Sequence, residues 1–386
     1  MTSWRIAGGA VLGPAEPVPG EVAIHEGRLA PAAEAGSPCF DATGCWVLPG
    51  IVDIHGDAHE RALQPRPGVD FPPAFALADA AAQILACGIT TACLGVTLSW
   101  EPGLRSRETF RALLAAPWPA IPDLRLHLRF EADNLDALPD ALAAIAAGRI
   151  GVLGFNDHTP GILRKARDPL ALVKYAERAQ VPVAEITRLA EAAMARRAEV
   201  PSARARLAEA CRAAGVPMLS HDEATPEERA AFRALGATIC EFPMAEAVAE
   251  AARAAGEHVV MGAPNVVRGG SHLGWASAAP LAERGLVTIL ASDYHWPALF
   301  AAPFVLMRRG RLRPAEAWAL VSAHPAEALG LSDRGRLAPG LRADLLVVEG
   351  APEAARPVAV FAGGELAWIA PGAGARITRR QAAACA

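Results

Sequence analysis

The sequence lacks the features that mark membrane, secreted and nucleic-acid-binding proteins. No apolar run approaches the roughly 18–20 residues that a membrane-spanning helix needs. The N-terminal stretch MTSWRIAGGAVLG has one arginine and no sustained apolar core, which makes it a poor secretory signal. The net charge of −4 gives no strong attraction to nucleic acid or to anionic membranes. We therefore expect a cytoplasmic protein without nucleic-acid or membrane partners.

Cysteine and lysine are both scarce. The seven cysteines are widely separated and lack C-x-x-C spacing, which favours reduced thiols over a disulfide framework or a cysteine-ligated zinc. Lys165 and Lys174 are the only lysines, and neither lies at the end of a predicted strand. With 386 residues, 52% of them hydrophobic and 20% charged, the chain can form one large globular domain with a smaller companion.

Predicted strands and helices alternate through residues 48–332, which we assign to one domain. Apolar, β-branched segments alternate with stretches of helical periodicity, and the predicted strands lie at 51–54, 90–96, 124–131, 150–158, 216–222, 238–242, 258–262 and 287–293. This pattern is typical of a (β/α)8 barrel of the TIM type, in which active sites lie at the carboxyl ends of the strands. The alternative is an open doubly wound sheet, but no glycine-rich phosphate turn follows the first strand.

The two chain ends resemble each other. Short predicted strands separated by glycine and proline clusters fill residues 1–47 and 333–370. We therefore expect both ends to contribute strands to one small β domain, assembled around the middle of the chain. Residues 371–386 are expected to form a flexible tail.

The first strand of the predicted barrel ends in two potential metal ligands. His55 and Asp57 follow the apolar segment 51–54 and are separated only by Gly56. Residues two apart on an extended segment point the same way, so one cation could be held by both. Imidazole and carboxylate suit zinc, manganese or iron.

Ionisable side chains also end most of the later strands. They are Glu131 on the third strand, Asp157 and His158 on the fourth, His221 and Asp222 on the fifth, Glu241 on the sixth and Asp293 on the eighth. Carboxylates that converge on a barrel mouth need compensating cations, which argues for a metal site. Each residue also has a structural alternative that stays open: a hydrogen-bonded histidine for His221, an Asx turn for Asp293, a pair with Arg129 or Arg125 for Glu131, helix caps for Asp157, His158 and Asp222, and an ion pair for Glu241.

Two loops combine arginine with residues that suit anion binding. Arg268-Gly269-Gly270-Ser271-His272 offers a guanidinium, a backbone that a ligand can approach, and hydroxyl and imidazole donors. Gln64-Pro65-Arg66-Pro67-Gly68 presents Arg66 on a stiff, proline-braced turn. Plain solvent-exposed loops are the alternative for both.

These motifs resemble the metal-dependent amidohydrolase superfamily. Within it the chain is most similar to the α-D-ribose 1-methylphosphonate 5-triphosphate diphosphatase family. The resemblance runs from about residue 45 to 350 and rests on LPGIVDIHGD, QPRPGVDFPP, GITTACLGV, LRLHLRFE, DHTPG, SHDEATPEE, ICEFPM, VVMGAPNVVRGGSHLGWASA, ILASDYHWPALF, AHPAEALGL and DRGRLAPGLRADLLVV. The MGAPN-V-RGGSH segment and H-x-D with the PRPGV turn are specific to the diphosphatase family, whereas the APG-RADL ending belongs to the wider superfamily.

The resemblance implies a barrel with two divalent metal ions and a small β-sandwich built from both chain ends. It implies that Asp293 is both a metal ligand and the catalytic general base, and that Glu131 bridges the ions. The remaining ligands would be His55, Asp57 and His221. The phosphate groups would be held by Arg66, Arg268, Gly269, Gly270, Ser271 and His272.

The activity implied is hydrolysis of a phosphorylated small molecule, with release of pyrophosphate from the triphosphate of a ribose phosphonate. One alternative is an amidohydrolase that cleaves a C–N bond, and another is a non-catalytic homologue. Barrels of this size often pair, so a homodimer is compatible with the sequence.

The chain departs from the family next to the expected site. Family members continue H-T-D-N-L after the first strand, but Gly56 replaces the threonine here, and Ala58 and His59 replace asparagine and leucine. His59 thereby adds an imidazole that could serve as a further ligand. His295 and Trp296 also differ from the family pattern. These changes concern the substrate more than the metal chemistry.

Overall fold

The computed structural model describes residues 3–270 and 276–378. The chain begins with strands of the small β domain, at β1 (Ser3–Leu12), β2 (Pro17–His25), β3 (Arg28–Ala30), β4 (Cys39–Asp41) and β5 (Cys45–Pro49). In the same ranges, no helix combines the length and the apolar character needed to cross a bilayer.

The middle of the chain forms a parallel barrel. In the described ranges its eight strands are hydrogen bonded in chain order, at β6 (Ile51–Gly56), β7 (Ile89–Leu98), β8 (Asp123–Glu131), β9 (Val152–Asn156), β10 (Met218–His221), β11 (Ile239–Glu241), β12 (His258–Gly262) and β13 (Ile289–Ala291). A parallel bridge between Gly56 and Asp293 joins the first strand to the last. The predicted (β/α)8 barrel is confirmed, and the open doubly wound sheet is wrong because an open sheet would leave both edges unpaired.

Helices cover the outside of the barrel. They are α1 (Glu60–Leu63), α2 (Pro73–Ala86), α3 (Arg107–Ala115), α4 (Leu138–Ala146), α5 (Thr159–Lys165), α6 (Pro169–Ala179), α7 (Val183–Met194), α8 (Val200–Ala214), α9 (Pro226–Ala234), α10 (Glu246–Ala254), α11 (Ala263–Arg268), α12 (Ala278–Glu283), α13 (Trp296–Arg308), α14 (Pro314–Ala319) and α15 (Ala323–Ala328). The stretch between β9 and β10 contains four separate helices among the described residues, α5, α6, α7 and α8. Pro182 precedes α7 and Pro201 lies in the first turn of α8, because proline is tolerated at a helix start but not in its interior.

The chain returns to the first domain through β14 (Leu345–Glu349), β15 (Arg356–Ala362), β16 (Glu365–Ile369) and β17 (Ile377–Thr378). In the described residues these strands join the N-terminal ones in a nine-stranded sheet, with β14 antiparallel to β5. Both chain ends therefore build one sheet, as the sequence predicts. The expected flexible tail from 371 is wrong for its first residues, because Ile377 and Thr378 pair with β4; residues 379–386 lie outside the described residues.

Alternation along β14 fixes the small domain to the barrel. Leu345 and Val347 face a core that the sheet encloses for itself, whereas Leu346 and Val348 belong to the large core shared with the barrel. Successive strand residues point to opposite faces, so this single strand contributes to both cores. The indole of Trp318 adds a hydrogen bond to the carbonyl oxygen of Pro49 at 3.0 Å.

Candidate metal centre

The carboxyl ends of the barrel strands surround a cavity of about 210 Å³. Its charged and imidazole side chains come from five strand ends or the loops that follow them, and they are His55, Asp57, Arg129, His221, Asp222, Arg268 and Asp293. Its apolar wall includes Phe242, Pro243, Met261 and Pro264. Parallel strands end at the same face of a barrel, which is why residues far apart in sequence meet here.

Main-chain hydrogen bonds join the first and last strands of the barrel at this cavity. The N–H of Asp293 donates to the carbonyl oxygen of His55 at 2.9 Å, and the N–H of Asp57 donates to the carbonyl oxygen of Asp293 at 2.7 Å. Behind them, Asp53 accepts hydrogen bonds from the Ser292 hydroxyl at 2.6 Å and from the Ser292 N–H at 3.0 Å. The backbone therefore fixes His55, Asp57 and Asp293 relative to one another.

Three non-glycine residues at the barrel mouth adopt left-handed backbone conformations. Asp222 and Phe242 directly follow β10 and β11, with φ of 59° and 52°, and Asp293 lies just beyond β13 with φ of 54°. Such conformations cost energy for residues with a side chain and cluster at functional sites. Here they turn the chain at the rim while the preceding strands stay in the barrel.

The ionisable side chains form three overlapping groups of potential metal ligands. Within each group the donor atoms lie within 4.8 Å of one another, and the groups are His55–Asp57–Asp293, His55–His221–Glu241 and His158–His221–Asp222. His55 Nε2 and Asp57 Oδ1 are 3.3 Å apart, which is close to the spacing of two atoms that bind one ion at roughly 2.1 Å.

Several buried nitrogen and oxygen atoms that could bind a metal at the cavity have no hydrogen-bond partner among the described residues. They include His55 Nε2, Asp57 Oδ1 and Glu241 Oε2. Buried polar atoms are normally paired, so unpaired nitrogen and oxygen donors that converge on one cavity fit a divalent cation. The set of imidazole and carboxylate groups suits zinc, manganese or iron.

Glu241 and His55 are a buried pair. His55 Nδ1 lies 2.8 Å from Glu241 Oε1, and both side chains are almost fully buried. Burial lowers the pKa of His55, but the charges of Glu241 and Asp57 outweigh it and raise that pKa to about 10. The pair orients the imidazole so that its Nε2 faces Asp57, as a carboxylate behind a metal-binding histidine does.

Asp57 and Asp293 differ in their electrostatic environment. Burial raises the pKa of Asp57, but Arg129 and His55 reverse the shift and hold it well below its usual range. For Asp293, burial dominates and raises the pKa. Of the two, Asp293 is therefore the stronger proton acceptor in this cavity, in keeping with its predicted role as general base.

Gly95 on β7 keeps the space beside Asp57 open. A Cβ atom at this position would lie 2.4 Å from Asp57 Oδ1 and 3.2 Å from Arg129 Cδ. Gly56, where the family has threonine, is similarly confined. A Cβ there would lie 2.9 Å from both Asp53 Oδ2 and Ser292 Oγ. The hydrogen-bonded Asp53–Ser292 pair therefore crowds any side chain at position 56.

Arg129 is the functional candidate that sequence reasoning missed. Its guanidinium contacts two predicted ligands, with Nη1 2.6 Å from Asp57 Oδ2 and Nη2 3.2 Å from His221 Nε2. From the sequence, Arg129 is expected only as an ion-pair partner for Glu131. The available signal was alternation on β8: Leu128 and Phe130 pack into the outer core, which directs Arg129 and Glu131 to the barrel interior.

His127, two residues earlier on β8, was also missed. Its ring lies edge-on to that of His55, with centroids 4.9 Å apart. Neither ring nitrogen has a hydrogen-bond partner among the described residues, and burial lowers the pKa of His127 to about 3. The side chain is therefore a neutral imidazole packed beneath the candidate ligand.

Glu131 is turned away from the position expected for a bridging ligand. Its Oε1 accepts a hydrogen bond from the His158 N–H at 2.6 Å, and its Oε2 lies 2.9 Å from His158 Nδ1. The charge of His158 overcomes the effect of burial and lowers the pKa of Glu131 to about 2. Glu131 also belongs to none of the three ligand groups found in the described residues. In this structure Glu131 is a hydrogen-bond partner of His158, and its bridging role stays a prediction.

The structure places two other candidates in structural roles. Asp157 is bound by Arg197 Nη1 at 2.7 Å and by Arg204 Nη2 at 2.7 Å, which makes it an ion-pair partner of the helices that follow. His59 is buried, and its Nδ1 lies 3.2 Å from the carbonyl oxygen of Gly56. Burial lowers the pKa of His59, and it belongs to no ligand group in the described residues.

Only some of the predicted anion-binding residues lie at the cavity. Arg268 lines the cavity and donates from Nη1 to the hydroxyl of Tyr294 at 3.5 Å. Gly269 ends α11 with φ of 84°, and the N–H of Gly270 donates to Asn265. Arg66 is exposed on its turn, outside the cavity lining that the described residues form. Ser271 and His272 lie outside the described residues.

Comparison with known proteins supports the assignment from geometry. The amidohydrolase family model matches residues 74–365. The alpha-D-ribose 1-methylphosphonate 5-triphosphate diphosphatase of Escherichia coli (strain K12) is 34% identical over 346 residues, which cover 86% of this chain and 91% of that protein.

Two solved structures share the architecture. A prolidase complexed with N-methylphosphonate-L-proline has a TM-score of 0.57 and 17% identity, and covers 96% of this chain and 100% of its own. The dihydropyrimidinase from Brevibacillus agri NCHU1002 has a TM-score of 0.55 and 14% identity over 94% of each chain. At these identities the likeness shows the fold. Together with the family match, the mouth of this barrel identifies the chain as a metal-dependent hydrolase that belongs to the amidohydrolase family.

Proposed function

We propose that this enzyme hydrolyses α-D-ribose 1-methylphosphonate 5-triphosphate to the 5-phosphate and pyrophosphate. One observation carries the proposal: Arg129 and Arg268 line the same cavity as the candidate metal ligands. Guanidinium groups suit phosphate oxygens because they stay charged and present several donors in one plane. The relative of this name, similar over nearly its whole length, supports the choice of substrate.

The cavity residues have distinct roles in this reaction. His55, Asp57, His221 and Glu241 would hold the metal, with Asp293 beside them. A bound divalent cation lowers the pKa of water and supplies hydroxide near neutral pH. Asp293 accepts the proton of the attacking water, and its raised pKa favours this role. The bond between the α- and β-phosphates breaks, and the two arginines stabilise the charge on the phosphate oxygens.

Pyrophosphate release from the synthetic triphosphate tests the proposal. Enzyme loaded with Mn²⁺ or Zn²⁺ should form one pyrophosphate for each 5-phosphate. Phosphorus NMR measures both products. Removal of the metal with a chelator should abolish turnover, and adding the metal back should restore it. Retained metal with no turnover would reject this substrate.

A second candidate is hydrolysis of a C–N bond in an uncharged cyclic amide. The apolar wall formed by Phe242, Pro243, Met261 and Pro264 favours it, because such a surface suits an uncharged ring. Arg268→Ala separates the two functions. The variant should raise KM for the triphosphate at least about tenfold if Arg268 binds phosphate, whereas hydrolysis of an uncharged cyclic amide should be unaffected.

A further inference from the structure

Arg129 lies among the groups that would have to hold a pair of metal ions. Its side chain is buried at the cavity, with Nη1 at Asp57 Oδ2 and Nη2 at His221 Nε2. Arginine stays protonated at any working pH. A permanent positive charge is therefore fixed between a ligand from β6 and a ligand from β10.

The contacts of Arg129 reduce the donor atoms open to metal. Asp57 Oδ2 accepts from the guanidinium, so Oδ1 is the oxygen of Asp57 left without a hydrogen bond. His221 Nε2 is likewise directed at Arg129, and its Nδ1 lies 3.0 Å from Asp222 Oδ2.

A bridging carboxylate is also missing from this arrangement. Paired catalytic ions lie roughly 3.5–4 Å apart and commonly share ligands. To bridge them through both oxygens, Asp57 would have to release the oxygen that is bound to Arg129. Glu131, the other expected bridge, uses both oxygens on His158. Of the three ligand groups among the described residues, two depend on the same histidine, His55, and the third, His158–His221–Asp222, contains the histidine whose Nε2 faces Arg129.

We propose that the centre binds one divalent ion per chain and that Arg129 supplies the positive charge that a second ion would provide. This inference rests on the metal dependence in the proposed function and differs from the two ions that the family resemblance implies. The guanidinium repels a second cation at short range while still presenting charge to a phosphate group in the same cavity. Arg129 is thus a positioning and charge-setting residue of the centre.

Metal counting on the whole enzyme tests the proposal. Protein stripped with a chelator is reloaded with excess Mn²⁺, desalted and analysed for manganese per chain. The wild type should retain one ion and give the EPR spectrum of isolated Mn²⁺. Arg129→Met removes the charge and frees Asp57 Oδ2, so it should bind a second Mn²⁺ at least about tenfold more tightly than the wild type does. Arg129→Lys keeps the charge and should retain one ion.

Arg268→Met is the matched control, because it removes a guanidinium that lines the same cavity but donates to Tyr294. It should retain one ion. Two tightly held, exchange-coupled ions in the wild type would overturn the inference and leave the hydrolase assignment standing, even if Arg129→Met fails to fold. A wild type that holds no metal would count against the proposed function itself.

Discussion

The N–H of Asp293 donates a hydrogen bond to the carbonyl oxygen of His55 at 2.9 Å. This contact joins the last barrel strand to the first and brings the predicted general base beside a predicted metal ligand. It uses only main-chain atoms. The carboxylate of Asp293 can therefore be changed without opening the barrel, so chemistry and folding can be tested separately.

Asp293→Asn should fold like the wild type but lose most of its activity. The amide keeps the size of the side chain and leaves the main-chain hydrogen bonds of residue 293 unchanged, but it cannot accept a proton at neutral pH. At saturating Mn²⁺ we expect kcat to fall by about 10²–10⁴-fold, the usual contribution of a general base, with little change in melting temperature. Asp70→Asn is the matched control, because Asp70 is exposed and bound to Gln64 and Gln180. A kcat for Asp293→Asn equal to that of the control would remove Asp293 from proton transfer.

Gly95→Ala should disturb the metal centre. The added methyl would lie 2.4 Å from Asp57 Oδ1, so either the carboxylate or β7 must move, at a typical cost of about 1–3 kcal/mol. We expect weaker Mn²⁺ binding by calorimetry and a lower urea midpoint. Gly161→Ala is the control, since its nearest contact would be Arg164 Nη2 at 3.7 Å and it lies within α5. Unchanged metal affinity in Gly95→Ala would show that Asp57 does not need its present position.

His127 should make the enzyme less stable as the pH falls. Above pH 6.5 the imidazole is neutral in both the folded and the unfolded chain, so it contributes no pH dependence. Between 6.5 and about 3 only the unfolded chain binds the proton, because burial lowers the folded pKa to about 3. Stability should therefore fall by up to about 1.4 kcal/mol per pH unit in this window.

His127→Phe removes this titration. Urea unfolding of metal-free protein at several pH values should give a shallower acid slope for the variant than for the wild type. Identical slopes in the two proteins would show that His127 is not held neutral in the folded state.

Glu131→Gln should retain the metal. Glu131 is hydrogen bonded to His158 and lies outside the ligand groups of the described residues, and a glutamine oxygen can still accept from the His158 N–H. We expect wild-type manganese content in this variant and a reduced content in Asp57→Asn, measured by elemental analysis after desalting. Metal loss in Glu131→Gln as large as in Asp57→Asn would restore the bridging role that the sequence suggested.

The barrel could be predicted because its signals are local. Each strand is an apolar run, and helical periodicity follows it. The small domain was also recognisable, since strands such as Leu345–Glu349 have the same short pattern as those before residue 50. The pairing of Ile377–Thr378 with β4 was missed. The pairing of Ile377–Thr378 depends on a partner distant in sequence.

The site was only partly predictable for the same reason. His55, Asp57, His221 and Asp293 follow strands, and the structure brings them into one cavity; their roles as ligands stay predictions. Alternation on β8 indicates that Arg129 faces the barrel interior, but its contact with Asp57 could not be predicted, because that contact depends on the pairing of β8 with β7 and of β7 with β6 and on the room left by Gly95. The contact of Glu131 with His158 was also missed, because His158 follows the next strand.

The hydrogen bonds between the first and last barrel strands also set an order of events during protein synthesis. Asp53 and Ser292, which form two of these hydrogen bonds, are 239 positions apart. His55 and Asp57 therefore leave the ribosome long before Asp293 has been translated. A nascent chain that stops short of β13 would expose two unpaired strand edges, and the complete set of ligands forms only once the eighth strand has emerged.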